Sequence, residues 1–198
     1  DAVFQIAITL RRLGETECYN KTCLCYKETG SVEDSTIVCY DTEQELLMGF
    51  KNFLIKHDID IMTGWNIFGF DLEYVFIRAM VCGCPDDFYQ LGKLKGVNCE
   101  MNYKMLSSSA LGDNKLKLLP MNGRYIFDLF QEVKREHKLD SYSLNFVSQT
   151  FLGDQKIDMS PKEMFKRYRE EDPSQLAEVA EYCIKDTLLP HQLMDKLC

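Results

Sequence analysis

The sequence predicts an α/β layered fold with a mixed β-sheet flanked by helices, on three observations. Strand-period segments come first, strand and helix periods alternate in the middle, and the final third is helical. With 198 residues the chain can bury about 70% of its unfolded surface and form a core without staples. We read residues 1–198 as a single domain, since no Pro-, Gly- or Ser-rich stretch is long enough for a linker and no repeat is visible.

Phe4, Ile6, Ile8 and Leu10 alternate with Gln5, Ala7 and Thr9, the period of a strand with one face inward. Further strands are expected at Thr22–Lys27 and Thr36–Tyr40, joined at Gly30-Ser31 as an antiparallel meander. From Thr42 the period lengthens, and Leu46, Leu47, Phe50, Phe53 and Leu54 mark one face of a helix ending near His57. Thr42-x-x-Glu45 is a capping-box pattern at its start.

Ile59–Trp65 reads as a short buried strand running into Asn66-Ile67-Phe68-Gly69-Phe70-Asp71. The next helix has Leu72, Val75, Phe76, Ala79 and Met80 as its inner face and stops at Gly83, with Pro85 beyond. Residues 93–122 are less periodic, with Ser107-Ser108-Ser109 and Gly112-Asp113-Asn114 as turn signals between short strands. Arg124–Leu129 is a strand; Phe130–His137, Ser143–Phe151, Pro161–Glu170 and Leu176–Lys196 are helices.

The formal charge of −8, from 31 acidic and 23 basic side chains, excludes a polybasic binder of duplex DNA or membrane surfaces. No run of ~18 apolar residues is present to span a bilayer, and no signal peptide is recognisable. Nine cysteines lack the paired spacing of structural zinc and read as reduced, mostly buried thiols. A chain that opens on Asp1 in a strand and closes on Cys198 in a helical run reads as an excerpt of a longer protein.

Carboxylates are the candidates for chemistry, because three His, no Gly-rich phosphate loop and no Gly-x-Ser-x-Gly leave little else. Asp71 falls in the first turn of a helix, where the macrodipole favours an anion, although capping alone often puts Asp there. Tyr182 and Asp186 share one face of a helix about 6 Å apart along its axis. In isolation, Tyr182 at a helix–sheet contact and Asp186 in a surface ion pair would be the better account of the two.

The ordered set carries more than its parts. Asn66-x-x-x-Phe70-Asp71 and Tyr182-x-x-x-Asp186 resemble the second and third motifs of the proofreading 3′→5′ exonuclease of family B DNA polymerases. Gly123-Arg124, Asp128-Leu129 and Lys138–Val147 repeat that family's wording between them, as in delta-type polymerases and those of large DNA viruses. The resemblance implies a ribonuclease-H-like fold and a two-metal site for Mg²⁺ or Mn²⁺. Asp71 and Asp186 would be metal ligands, with Tyr182 positioning the attacking water. Asn66 and Phe70 would touch the frayed primer end, and Ser143 and Leu144 the single strand. The implied partners are the single-stranded 3′ end of DNA and the remainder of a polymerase chain, with no membrane. The setting would be intracellular and reducing, in the nucleus or at a viral replication site.

One departure stands out. The family's first motif, Asp-x-Glu, is absent, and Asp41-Thr42-Glu43 is better explained as a helix cap. The excerpt alone is therefore expected to hold metal poorly and to hydrolyse little. Two other readings are a non-catalytic bracing domain of the same fold and a free-standing exonuclease acting on RNA. The 104–138 segment is the one basic stretch, and Lys104, Lys115, Lys117, Arg124, Lys134, Arg135 and Lys138 read equally well as a solvated face or as a strip for phosphates near 104–122, where the resemblance implies a strand-separating hairpin.

Overall fold

The computed structural model describes residues 1–108, 112–153 and 159–197. Two compact units are present, one from Asp1–Leu46 with Ser143–Cys198 and one from Leu47–Tyr142. Sheets and helices occur in both, so the mixed α/β class is observed.

In the first unit β1 (Gln5–Leu10) pairs antiparallel with β2 (Asn20–Tyr26), from Gln5 opposite Cys25 to Leu10 opposite Asn20. β2 then pairs in parallel with β3 (Thr36–Tyr40), from Thr22 opposite Thr36 to Tyr26 opposite Tyr40. The expected meander is corrected at this second pairing. Gly30 is no hairpin turn: its N–H donates to the Pro173 carbonyl at 2.8 Å, and a Cβ there would stand 3.1 Å from that oxygen. Left-handed backbone at Lys27 (φ 83°) and Asp34 (φ 51°) brings residues 27–35 back along β2.

The long helix α7 (Pro173–Leu197) runs beside β1 in the same direction, as three contacts in step show. Gln5 donates to the Leu176 carbonyl at 2.9 Å, Thr9 to the Thr187 carbonyl at 3.3 Å, and Arg11 pairs with Asp195 at 2.5 Å. Cys23 and Cys25 of β2 are buried with Ala180 and Ile184 of α7, with Ala7, Val32 and Ile37 packed against them. Small thiols suit this seam because they let helix and sheet approach closely. Four of the eight described cysteines are buried: Cys23, Cys25, Cys84 and Cys99. Two further helices, α5 (Leu144–Leu152) and α6 (Pro161–Glu170), start on capping serines, Ser143 and Ser160.

The helix α1 (Glu43–Lys56) begins in the first unit and continues into the second, with Leu46, Leu47, Phe50, Phe53 and Leu54 all buried. In the second unit β4 (Ile61–Gly64) lies parallel to β7 (Tyr125–Asp128), with Gly64 opposite Asp128. The helix α2 (Asp71–Val81) buries Leu72 and Ala79, but Met80, expected inside, is 53% exposed. A single turn, α3 (Pro85–Phe88), follows unannounced by any period. β5 (Asn102–Ser108) and β6 (Gly112–Leu118) form an antiparallel pair, and α4 (Leu129–Glu136) follows β7. Gly112, Asp113 and Asn114 are therefore strand rather than turn, held opposite Ser108, Ser107 and Leu106; Ser109 lies outside the described residues. No described helix is long and apolar enough to cross a membrane.

Candidate active site

The second unit presents Asn66, Phe70 and Asp71 on one loop between β4 and α2. Asn66 takes a left-handed backbone (φ 60°), which Asn tolerates better than most side chains. Its carbonyl accepts from the N–H groups of Gly69 (2.9 Å) and Phe70 (3.1 Å), and the Ile67 carbonyl accepts from Leu72 at 3.2 Å. The chain so winds directly into α2. The Asn66 carboxamide folds over Gly69, its Oδ1 only 2.2 Å from where a Cβ would sit.

Asp128, at the end of β7, takes hold of the same loop. Its Oδ1 accepts from Asn66 N–H at 2.8 Å and its Oδ2 from Phe68 N–H at 2.9 Å; Oδ1 also caps α4 through Phe130 N–H at 3.1 Å. Burial raises the Asp128 carboxyl above the ordinary range, while the backbone donors of Phe68, Asn66 and Phe130 work against the rise. Below the loop Trp65 donates to the Tyr142 carbonyl at 3.2 Å and meets Phe130 edge-on at 5.8 Å.

Asp71 occupies the first turn of α2, its neighbour Phe70 ending the loop without a side-chain cap. Solvent reaches Asp71, yet its surroundings desolvate the carboxyl enough to lift it to about 6. Its own backbone N–H opposes that rise, and the Asp128 charge adds to it. A nearby cation would relieve both effects. Phe70 is 56% exposed and stacks on Tyr74, with ring centroids 5.0 Å apart and an interplanar angle of 22°. An open aromatic platform thus stands beside a carboxylate.

In the first unit Tyr182 and Asp186 sit half-buried on α7, one turn apart. Glu181 and Lys185 pair with each other at 2.7 Å on the exposed side. Pro190 stands inside α7 one turn beyond Asp186, with no N–H to give the carbonyl four residues back. Ser143 is exposed, and its Oγ accepts from Phe146 N–H at 3.2 Å; Leu144 is half-buried and Val147 buried.

Asp41-Thr42-Glu43 is a cap, as read from the sequence. Thr42 N–H meets Glu45 Oε2 and Glu45 N–H meets Thr42 Oγ1, both at 3.1 Å, while buried Glu43 accepts from Val3 N–H at 2.8 Å. The basic strip loses one member: Arg124 is buried, with its guanidinium on the Leu91 and Ile59 carbonyls. Lys117 is engaged with Glu73 at 2.6 Å and Arg135 with Glu132 and Glu136. Sequence reasoning does not name Tyr74, and it has Asp128 only within the Asp128-Leu129 wording, with no role. An Asp closing a strand before a helix hints at a cap, but nothing in it reveals bonds to residues 60 positions earlier.

Asp71 and Asp186 supply hard oxygen donors of the kind Mg²⁺ and Mn²⁺ take. Among the described residues no three His, Cys, Asp or Glu side chains gather to hold a metal ion, so each Asp offers one carboxylate and not a full ligand set.

The model of the exonuclease domain of DNA polymerase family B matches residues 1–147. The whole chain aligns at 37% identity with the DNA polymerase delta catalytic subunit of Dictyostelium discoideum, covering 18% of that protein. It aligns at 36% with the DNA polymerase of Paramecium bursaria Chlorella virus NY2A, covering 22%, and at 36% with the delta catalytic subunit of Caenorhabditis elegans, covering 18%. The chain thus spans about a fifth of the length of these relatives.

Proposed function

Because the chain belongs to the exonuclease domain of family B DNA polymerases, we propose that it is the proofreading 3′→5′ exonuclease of a delta-like polymerase, removing 3′-terminal nucleotides from a single-stranded primer end. The observation that carries this reading is the loop that sets Asn66, the exposed Phe70–Tyr74 stack and the Asp71 carboxylate side by side. The reading includes a ribonuclease-H-like architecture, which the mixed β1–β3 sheet with α7 packed along β1 supports.

Asp71 and Asp186 would hold Mg²⁺ or Mn²⁺, with further carboxylates from the longer chain completing a two-ion site. Such ions, when bound, acidify a water and stabilise the leaving oxygen of a phosphodiester. The rest falls to side chains. Phe70, backed by Tyr74, stacks the terminal base without regard to sequence. Asn66 offers a carboxamide to the strand, and Ser143 a hydroxyl. Leu144 packs near a base. Tyr182, one turn before Asp186, directs the attacking water through its phenol. An acidic domain suits this task, since a few unpaired nucleotides need no broad basic surface.

The test uses the complete polymerase. Asp71→Ala and Asp186→Ala should each slow release of 3′ nucleotides from a single strand by about two orders of magnitude or more, with nucleotide incorporation largely intact. Undiminished nuclease in both variants would sink the assignment.

A further inference from the structure

We propose, on the nuclease reading above, that Asp128 is a positioning residue of this site: its carboxylate clamps the Asn66–Phe70 loop to the end of β7 and so fixes where Asn66, Phe70 and Asp71 are presented. Three backbone N–H groups converge on this one side chain, at 2.8, 2.9 and 3.1 Å, and only 2% of the residue is exposed. A carboxylate offers about four lone-pair sites, and three are taken by the protein itself. Most of the accepting capacity of Asp128 is thereby committed to the loop and the α4 cap.

The geometry selects Asp over its neighbours in chemistry. The ladder partner of Asp128 is Gly64, so the β4–β7 pairing fixes its backbone just before the loop departs. Each oxygen faces N–H donors, so an Asn at this position would turn an NH₂ toward at least one of them. Donor would meet donor in a buried place. The loop has further reason to need a clamp, because its first turn depends on left-handed Asn66, a conformation that few side chains hold unaided. Bonds from the Asn66 carbonyl to Gly69 and Phe70 then carry that setting forward to α2.

Two variants of the complete polymerase separate clamping from simple stability. Asp128→Asn replaces one of the two acceptor oxygens by a donor. Asp128→Ser keeps a helix cap for Phe130 but is too short to serve Asn66 and Phe68 as well. Both should speed amide hydrogen exchange in the peptide covering residues 65–71 while leaving α7 peptides unchanged. Both should weaken binding of a short single-stranded oligonucleotide, measured in EDTA, by about tenfold, and cut nuclease kcat/KM by at least about tenfold with incorporation unaffected. Normal loop protection and normal strand affinity in Asp128→Ser would overturn the proposal, since a residue serving only as the α4 cap is rescued by Ser. Rapid loop exchange together with full nuclease in Asp71→Ala would leave the clamp standing and refute the nuclease reading instead.

Discussion

Lys117 of β6 reaches Glu73 in the first turn of α2 at 2.6 Å, and its backbone N–H meets the Phe68 carbonyl at 3.0 Å. Lys117 holds the Glu73 carboxyl below its usual range, with the Tyr103 phenol adding to the effect. A depressed carboxylate contributes stability above its unfolded value and loses it as the pH falls through the folded one. Lys117→Met should raise the Glu73 titration midpoint and remove that acid-side loss. The stability cost at neutral pH should be small, up to about 1 kcal/mol, because both partners keep solvent contact. Side-chain NMR titration of Glu73 and urea unfolding would check both.

Thr42 and Glu45 cap α1 reciprocally. Thr42→Ala removes an acceptor for an otherwise orphaned N–H and should lower stability by about 1 kcal/mol in urea unfolding. Thr42→Ser should be close to neutral. Nuclease activity should follow stability alone in both, since the cap has no part in the chemistry.

His191 Nε2 lies 3.2 Å from Thr9 Oγ1 on the seam between α7 and β1. Burial, aided by the Arg11 charge, depresses its pKa below 6.5, while Thr9 and Asp195 pull the other way. The unfolded chain then binds more protons between the depressed value and 6.5, so stability rises with pH across that window. The contribution is fully present above about pH 6.5 and is lost as the pH falls. His191→Gln should flatten this part of the profile. Unfolding in urea at about pH 5.5 and about pH 7.5 compares the two, and an unchanged difference would exclude the histidine as its source.

Tyr182→Phe removes only the phenolic oxygen beside Asp186. Single-turnover hydrolysis should slow by about tenfold to a hundredfold, with Mn²⁺ affinity nearly unchanged. A wild-type rate would count against the water-directing role.

Much of this architecture could be read in advance where the period of the chain is local. The inner face of α1, the Thr42–Glu45 cap and the run of α7 through Leu176, Val179, Ala180, Ile184 and Leu193 all follow from spacing. The parallel pairing of β2 with β3 did not, because alternation records which face is buried and is blind to strand direction. Gly112-Asp113-Asn114 misled for a related reason: turn-forming residues are tolerated in a strand when a partner strand holds their backbone. Of the site, Asp71, Phe70, Tyr182 and Asp186 stand out by motif. Asp128 enters only within the Asp128-Leu129 wording and its role is not legible there, since its partners Asn66 and Phe68 are brought to it only by the β4–β7 ladder.

The hairpin of β5 and β6 can be viewed as a lever. Gly112 stands about 17 Å along the strand from Lys117, at ~3.4 Å per residue, and Lys117 is pinned to Phe68 at the pivot. Residues added in pairs at the far end would lengthen the arm and leave the pivot alone. A one-residue slip in β6 would instead turn the Lys117 side chain to the opposite face and detach it from Glu73. The register of this strand pair, and not its length, is therefore tied to the setting of the Asn66–Asp71 loop.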